Sequence, residues 1–481
     1  YIWPMEVNLS AHAVAVGAEV AVAEMLRNGV TTFADNYFFM DDVAHVVERT
    51  GVRANLCWAH FSSQGDEGLR TSVDFAERWH GKADGRIHTS IAPHAPYTVT
   101  DEHLRAGADE ARRLGVKVHV HAAEDIVQTN VSLRDRGQTP IEVLDATGVL
   151  DAGAIIAHGN GIIDRDIPLL AAHRDRVGVT HGPKGYLKFA LGPITPIKAL
   201  TDAGVPVGYC TDGAASNNSL DILESMRIGA IYQKQVNDDA TFFRSVDALR
   251  LAGPASAAVL GQAGDIGELR EGALADVVLV DVSGLHCQPL HDLAAALVYS
   301  VQPGDVQTVV VDGRVVMRDR ELLTIDEAAL RTEFRAVAQH ITTPVLIAGA
   351  GPVGLLVALQ LARFGVGCTV VEAEPGFENE VAAFNLFAYL SRSDVTWNPS
   401  VVSQCKDSLF CPTTEEYILP IIHGNDRVEW FIQLSDEITW EVEDRDTGAV
   451  RSRVTMRAGD VCAMPADIRH QGYSPKRSML L

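Results

Sequence analysis

Several side chains suited to metal and proton chemistry close short apolar runs of this sequence. His121 ends VKVHVH, His158 ends GAIIAH, His181 ends VGVTH, and Asp212 follows VPVGYCT. Glu124 comes three residues after His121, in HAAE. Imidazole and carboxylate are donors that zinc or Fe(II) accepts, and a bound metal lowers the pKa of its water towards neutrality. His121 and Asp212 are therefore the candidate metal ligands, and Glu124 beside His121 is a candidate proton carrier. A lone histidine at such a place more often satisfies a backbone group in the core. Imidazoles and a carboxylate closing successive runs reverse that reading.

Such residues converge only if a scaffold brings the ends of their runs together. Seven β-rich runs alternate with helix-length amphipathic stretches: VTTFADNY, VRANLCWAH, RIHTSIAPH, VKVHVHAAE, GAIIAHGN, VGVTHGP and VPVGYCTDG. Strands alternating with helices predict an α/β fold with a parallel sheet. Chemistry at successive strand ends favours a (β/α)8 TIM barrel, whose strands all point their C-terminal ends at one mouth. A helix in AHAVAVGAEVAVAEMLRNG precedes the first visible run, so the barrel is expected to lack its first strand, placed upstream of Tyr1. The helical SVDALRLAGPASAAVLG follows, and then GDIGELREGALADVVLVDV and VQTVVVDGRVVMRDREL alternate like strands of a small β-domain. The expected boundaries are 1–262 for the barrel and 263–335 for the small β-domain part.

The motifs PHAPYT, HAAE, AHGN and TDGAASNNSLDILESMR, ending in GELREGALADVVLVD, resemble the methylthioadenosine/S-adenosylhomocysteine deaminase and chlorohydrolase branch of the amidohydrolases, over residues 1 to about 335. The resemblance implies that His121 and Asp212 bind the metal, that Glu124 shuttles a proton to a ring nitrogen, and that His158 positions the attacking water. Asp212 would take that water's proton. His94 and Glu6 match positions that contact substrate in the family, and Arg70 is a further candidate of that kind. The implied reaction is hydrolytic deamination of a small aminated heterocycle: a purine, a pterin or a triazine-like ring. The chain departs from the family in three places. It lacks the HxH pair of the first strand, it reads HGPKGYLKF where HNPxSNxKL is common, and it carries Trp58 where nucleoside-specific members have an Arg. The last two point away from a nucleoside.

Two segments follow. In TTPVLIAGAGPVGLLVALQLARFGVGCTVVEAEPG, Gly349, Gly351 and Gly354 open a helix after a strand, and Glu372 ends the next strand. That is the context of a dinucleotide fingerprint. It resembles the start of FAD-dependent aromatic-ring monooxygenases, over residues 343–377, and implies FAD. A flavin site also needs the rest of the sheet, and the sequence changes character directly afterwards, so retention of FAD is not the expectation. From 379 to 481 a strand-rich tail contains His423, Glu429 and His470. It resembles the 3-hydroxyanthranilate dioxygenase cupins, in which such a triad holds Fe(II).

A formal charge of -23 works against binding the phosphate backbone of a nucleic acid, which needs clustered Lys and Arg. Seven cysteines without a CxxC pattern indicate neither a disulfide framework nor a zinc ribbon and fit a reducing, cytoplasmic setting. The apolar window from Val345 to Ala362 is long enough for a membrane span, but its glycines read as a nucleotide-binding turn, so no membrane partner is expected. A homo-oligomer is left open. The leading reading is a metal-dependent deaminase. Two alternatives stand beside it: Fe(II)-dependent ring cleavage in the tail, and a composite of enzyme fragments without activity.

Overall fold

The computed structural model describes residue 6, residues 8–341 and, beyond them, strand segments between 345 and 480. The chain divides into two compact units. One comprises Ile2 and Asn8–Ile341, the other Tyr1, Trp3–Val7 and Thr342–Leu481. The expected boundary at 262/263 thus falls inside the first unit.

All seven runs form strands: β1 (Thr32–Tyr37), β2 (Arg53–His60), β3 (Ile87–Pro93), β4 (Lys117–Ala122), β5 (Ala154–His158), β6 (Gly178–His181) and β7 (Val207–Tyr209). They make one parallel sheet in chain order, β1 to β7. The sheet is rolled. The Asn36 amide on β1 donates to the His119 carbonyl on β4 at 3.3 Å, and the Cys57 thiol on β2 lies 3.4 Å from His119 Nδ1. In a flat sheet three strand spacings would hold β1 about 14 Å from β4. Contacts across that distance require a concave inner face, which is the barrel wall the sequence predicts. β1 and β7 are its two edges.

Helices cover the outer face. Ser10 caps helix Ala11–Arg27 by accepting the Ala13 amide at 3.2 Å. Helix Met40–Thr50 stops where Gly51 turns left-handed at φ 85, a conformation without steric cost for glycine. Arg86 then ties this helix's end to the start of β2. Its guanidinium donates to the carbonyls of Val47, Glu48 and Val52 at 3.1, 3.2 and 2.9 Å. Arg86→Ala strands those carbonyls, and we expect a loss of about 1–3 kcal/mol in urea unfolding. A change of a few tenths would show that solvent replaces the contacts.

The segment read as one helix from Ser245 carries a π-turn at Leu251–Ala255. Pro254 causes it, since it has no N–H to continue the α-helical ladder. The small β-domain is an antiparallel sheet in the order β11-β10-β9-β8, made of β8 (Val277–Val280), β9 (Val306–Val311), β10 (Arg314–Arg318) and β11 (Glu321–Leu322). Asp312 and Gly313 join β9 to β10 with φ 51 and 74, the two positive angles a tight hairpin turn needs.

In the second unit β12 (Val345–Ala348) pairs in parallel with β13 (Cys368–Val371), as a βαβ start would. Tail strands including Glu429–Ile432, Glu437–Glu443, Val450–Arg457, Val461–Met464 and Arg469–Ser474 pair antiparallel. No helix among the described residues is long and apolar enough to cross a membrane.

Candidate active site

The C-terminal ends of β3 to β7 carry the predicted residues. The His94 carbonyl, just past β3, accepts hydrogen bonds from both the backbone N–H and Nδ1 of His121 at the end of β4, each at 2.9 Å. A carbonyl only accepts, so Nδ1 carries the proton and Nε2 keeps its lone pair. A backbone carbonyl holding one ring nitrogen in this way orients metal-binding histidines. The His158 ring stacks on His121 at 5.4 Å, and the His94 ring lies 4.9 Å from His121. Phe61 stacks on His94 at 4.5 Å.

Glu124 leaves β4 through Ala123, whose φ is 50. Its carboxylate accepts from the Tyr97 hydroxyl at 3.0 Å and from the Gln128 amide at 3.2 Å. Asp212 has φ 60, and its carboxylate accepts from the Gly213 N–H at 2.8 Å and the Ser216 hydroxyl at 2.7 Å. His158 has φ 81. Left-handed backbone at three non-glycine residues around one mouth is strain of the kind functional sites store.

Beneath the mouth runs a polar network that motif reasoning missed. The Asn160 amide donates to the Glu124 carbonyl at 2.9 Å and accepts the Thr195 N–H at 3.1 Å. The Thr195 hydroxyl reaches the His158 carbonyl, Asn160 Oδ1 and His181 Nδ1, each at 3.1 Å. Its one proton goes to an oxygen acceptor, so His181 Nδ1 is the donor to Thr195. His181 Nε2 is left buried without a hydrogen-bond partner. Asn160 stood in the quoted AHGN motif, but Thr195 in PITP had no such signal.

Burial keeps these imidazoles neutral. It pulls His94 down to about 4, helped by His121 and His158. It lowers His158 too, with His121 adding to the effect and Asp212 and Glu124 opposing it. Burial alone takes His181 to about 3, and burial with His103 nearby takes His60 to about 4. Folding therefore depresses these pKa values below the unfolded 6.5. The stability tied to the neutral forms is complete above pH 6.5 and is lost as pH falls towards 4. Each histidine should contribute a slope of about 1.4 kcal/mol per pH unit in that window. Urea unfolding at a series of pH values should therefore be flatter for His60→Gln and His181→Gln; an unchanged slope would contradict the assignment.

The other candidates sit elsewhere. Arg70 is exposed on the outer face of helix Asp66–Trp79, paired with Glu67. Glu6 is half-buried and falls in the second compact unit. Trp58 points outward from β2 and packs on Phe75 of the covering helix at 6.2 Å. It packs on the helix side of the sheet. Gly349, Gly351, Gly354, Glu372 and His423 lie outside the described residues, as do the side chains of Glu429 and His470.

Comparison with known proteins agrees with this geometry. The amidohydrolase family model matches residues 3–316, and an FAD binding domain model matches residues 342–384. A 5-methylthioadenosine/S-adenosylhomocysteine deaminase of Pelotomaculum thermopropionicum is 41% identical over 334 residues, which is 69% of this chain and 76% of that protein. Its counterpart in Carboxydothermus hydrogenoformans is 38% identical over 335 residues, with the same coverage of 69% and 76%. Among solved structures, a zinc-bound adenosine deaminase from Xanthomonas campestris aligns with a TM-score of 0.68 and 36% identity, covering 71% of this chain and 78% of that one. An atrazine chlorohydrolase from Arthrobacter aurescens shares the fold, with a TM-score of 0.64 at 23% identity over 70% of this chain and 79% of that one. On the match to residues 3–316 and these relatives, the chain belongs to the amidohydrolase family.

Proposed function

We propose that the barrel catalyses hydrolytic deamination of an aminated heterocycle of the purine class, with a zinc-type cation. The observation that carries this reading is His121. Its Nδ1 is fixed by the His94 carbonyl at 2.9 Å, which leaves Nε2 for a metal, while Glu124 follows three residues later at the same strand end. His121 and Asp212 fit such a cation in donor type and supply two of the three or four ligands zinc takes. When bound, the metal would bring the pKa of water to about 7 and so supply a nucleophile at neutral pH.

The chain's own residues do the rest. Glu124, held by Tyr97 and Gln128, carries a proton to the ring nitrogen next to the carbon under attack and later to the departing amine. Neutral His158 orients the attacking water by hydrogen bonding and does not act as an acid. The water supplies both protons: Asp212 receives the first as the C–O bond forms, and the second leaves the new hydroxyl as the C–N bond breaks. Through Glu124 one ends on the ring nitrogen and one on the amine, so both carboxylates return to their starting state. The stacked rings of Phe61 and His94 give a planar heterocycle an aromatic wall.

The activities for which the relatives are named choose the first substrates. Zinc-loaded protein should release ammonia from 5-methylthioadenosine, S-adenosylhomocysteine or adenosine. Ammonia from none of these, nor from an aminated pterin or triazine, would overturn the reading.

A further inference from the structure

We propose that His286, Cys287 and Asp305 form a second transition-metal site, of zinc or cobalt type, at the foot of the small β-sheet and separate from the barrel mouth. They are the one trio of His, Cys, Asp or Glu among the described residues whose ligand atoms all lie within 4.8 Å of one another. The trio offers a nitrogen, a sulfur and an oxygen, which is the mixed donor set of a borderline cation rather than of calcium or magnesium.

The donors are held in place before any metal arrives. His286 and Cys287 sit in the short 3-10 turn Leu285–Cys287, and Asp305 immediately precedes β9. The Asp281 N–H at the end of β8 donates to the Asp305 carbonyl at 2.8 Å, and the Cys287 N–H donates to the Gly284 carbonyl at 2.9 Å. Gly284 lets the His286 ring lie down on the backbone, since a Cβ there would meet the ring at 2.6 Å. His286 Nε2 stands 2.7 Å from Asp305 Oδ2. Around a common zinc these two atoms would separate by roughly 0.5 Å more, a shift within reach of a half-exposed ring.

The electrostatics call for a cation. Cys287 is buried, and its sulfur lies within 4.8 Å of a carboxylate oxygen of Asp305. Among the described residues no Lys or Arg forms an ion pair with Asp281 or Asp305. The nearby Arg320 guanidinium donates instead to the carbonyls of Pro303 and Val306 at 2.7 and 2.9 Å. A divalent ion would displace the thiol proton to solvent and leave a thiolate, an imidazole and a carboxylate around it. So bound, the ion would staple the turn after β8 to the start of β9.

The sulfur distinguishes this site from the barrel, where the proposed ligands are His121 and Asp212. The full chain, stripped of metal and titrated with cobalt(II), should show a near-ultraviolet thiolate-to-cobalt absorption band. That band should vanish in Cys287→Ser and in His286→Ala and persist in His121→Ala and Cys210→Ser. Zinc content should fall by one equivalent in the first two variants. His286→Ala removes a half-exposed ring and keeps the test open should Cys287→Ser fail to fold. No band in the wild type, or a band that survives His286→Ala, would overturn the proposal.

Discussion

Glu124→Gln should lower kcat for deamination by about 10²–10⁴-fold while KM changes little. Glutamine keeps the length of the side chain and an oxygen that can accept from Tyr97, which lies 3.0 Å from Glu124 Oε1. The substitution removes only the capacity to take up and release a proton. A parallel loss in kcat and kcat/KM would mark an interaction made in the transition state. A raised KM with kcat intact would reduce Glu124 to a substrate contact and sink its role as proton carrier. Tyr97→Phe removes one of the two side-chain donors to that carboxylate and should cost less, because Gln128 still holds it. Steady-state ammonia release by the zinc-loaded protein is the measurement.

Asp276→Ala should be the most damaging single change away from the mouth, lowering unfolding free energy by about 3–5 kcal/mol. Arg53, at the start of β2, is 1% exposed and Asp276 is 4% exposed. The guanidinium grips the carboxylate through Nε at 3.1 Å and an Nη at 3.0 Å. Asp276 Oδ1 also accepts the Asp312 N–H of the β9–β10 turn at 2.8 Å, so one carboxylate joins the barrel strand to the small sheet. Burial alone would lower the Arg53 pKa, but Asp276 and then Asp312 more than offset it and leave the guanidinium charged. Removing Asp276 leaves that charge buried with only Asp312, whose contact is longer at 3.5 Å. The double variant Arg53→Met with Asp276→Ala should recover part of the loss, since it strands no charge. Urea unfolding decides the matter: a loss below about 1 kcal/mol for Asp276→Ala would place this pair with ordinary surface ion pairs.

The Arg53 pair was invisible to sequence reading for a plain reason. Its partners are 223 residues apart, and although Asp276 stands in the quoted GELREGALADVVLVD, nothing there names Arg53 as its partner. Thr195 escaped for the same reason: a threonine in a loop signals nothing until His158, Asn160 and His181 are seen around it. Which face of β2 Trp58 takes was likewise settled by the fold. The alternation along β2 sends Cys57 inward to His119 and Trp58 outward to Phe75. The small β-sheet was legible as strands, yet nothing in the spacing of His286, Cys287 and Asp305 announced that their donor atoms would gather within 4.8 Å, since Asp305 comes to the other two only through folding.

The sequence by itself determined the seven strands, their parallel order and the side chains at their ends. Strand and helix periods are local properties, and alternating strands and helices leave a parallel sheet as the main way to bury both faces. It also determined the kind of chemistry, since His121, Glu124, His158 and Asp212 are chemically competent wherever they meet. Only the tertiary structure decided how they meet. It set which nitrogen of His121 is free, through a backbone carbonyl 27 residues away. It turned Ala123, His158 and Asp212 left-handed at the mouth. It also buried the imidazoles deeply enough to hold His94 and His181 neutral. Those properties depend on desolvation and on groups brought together by folding, and neither is encoded within a short window of residues.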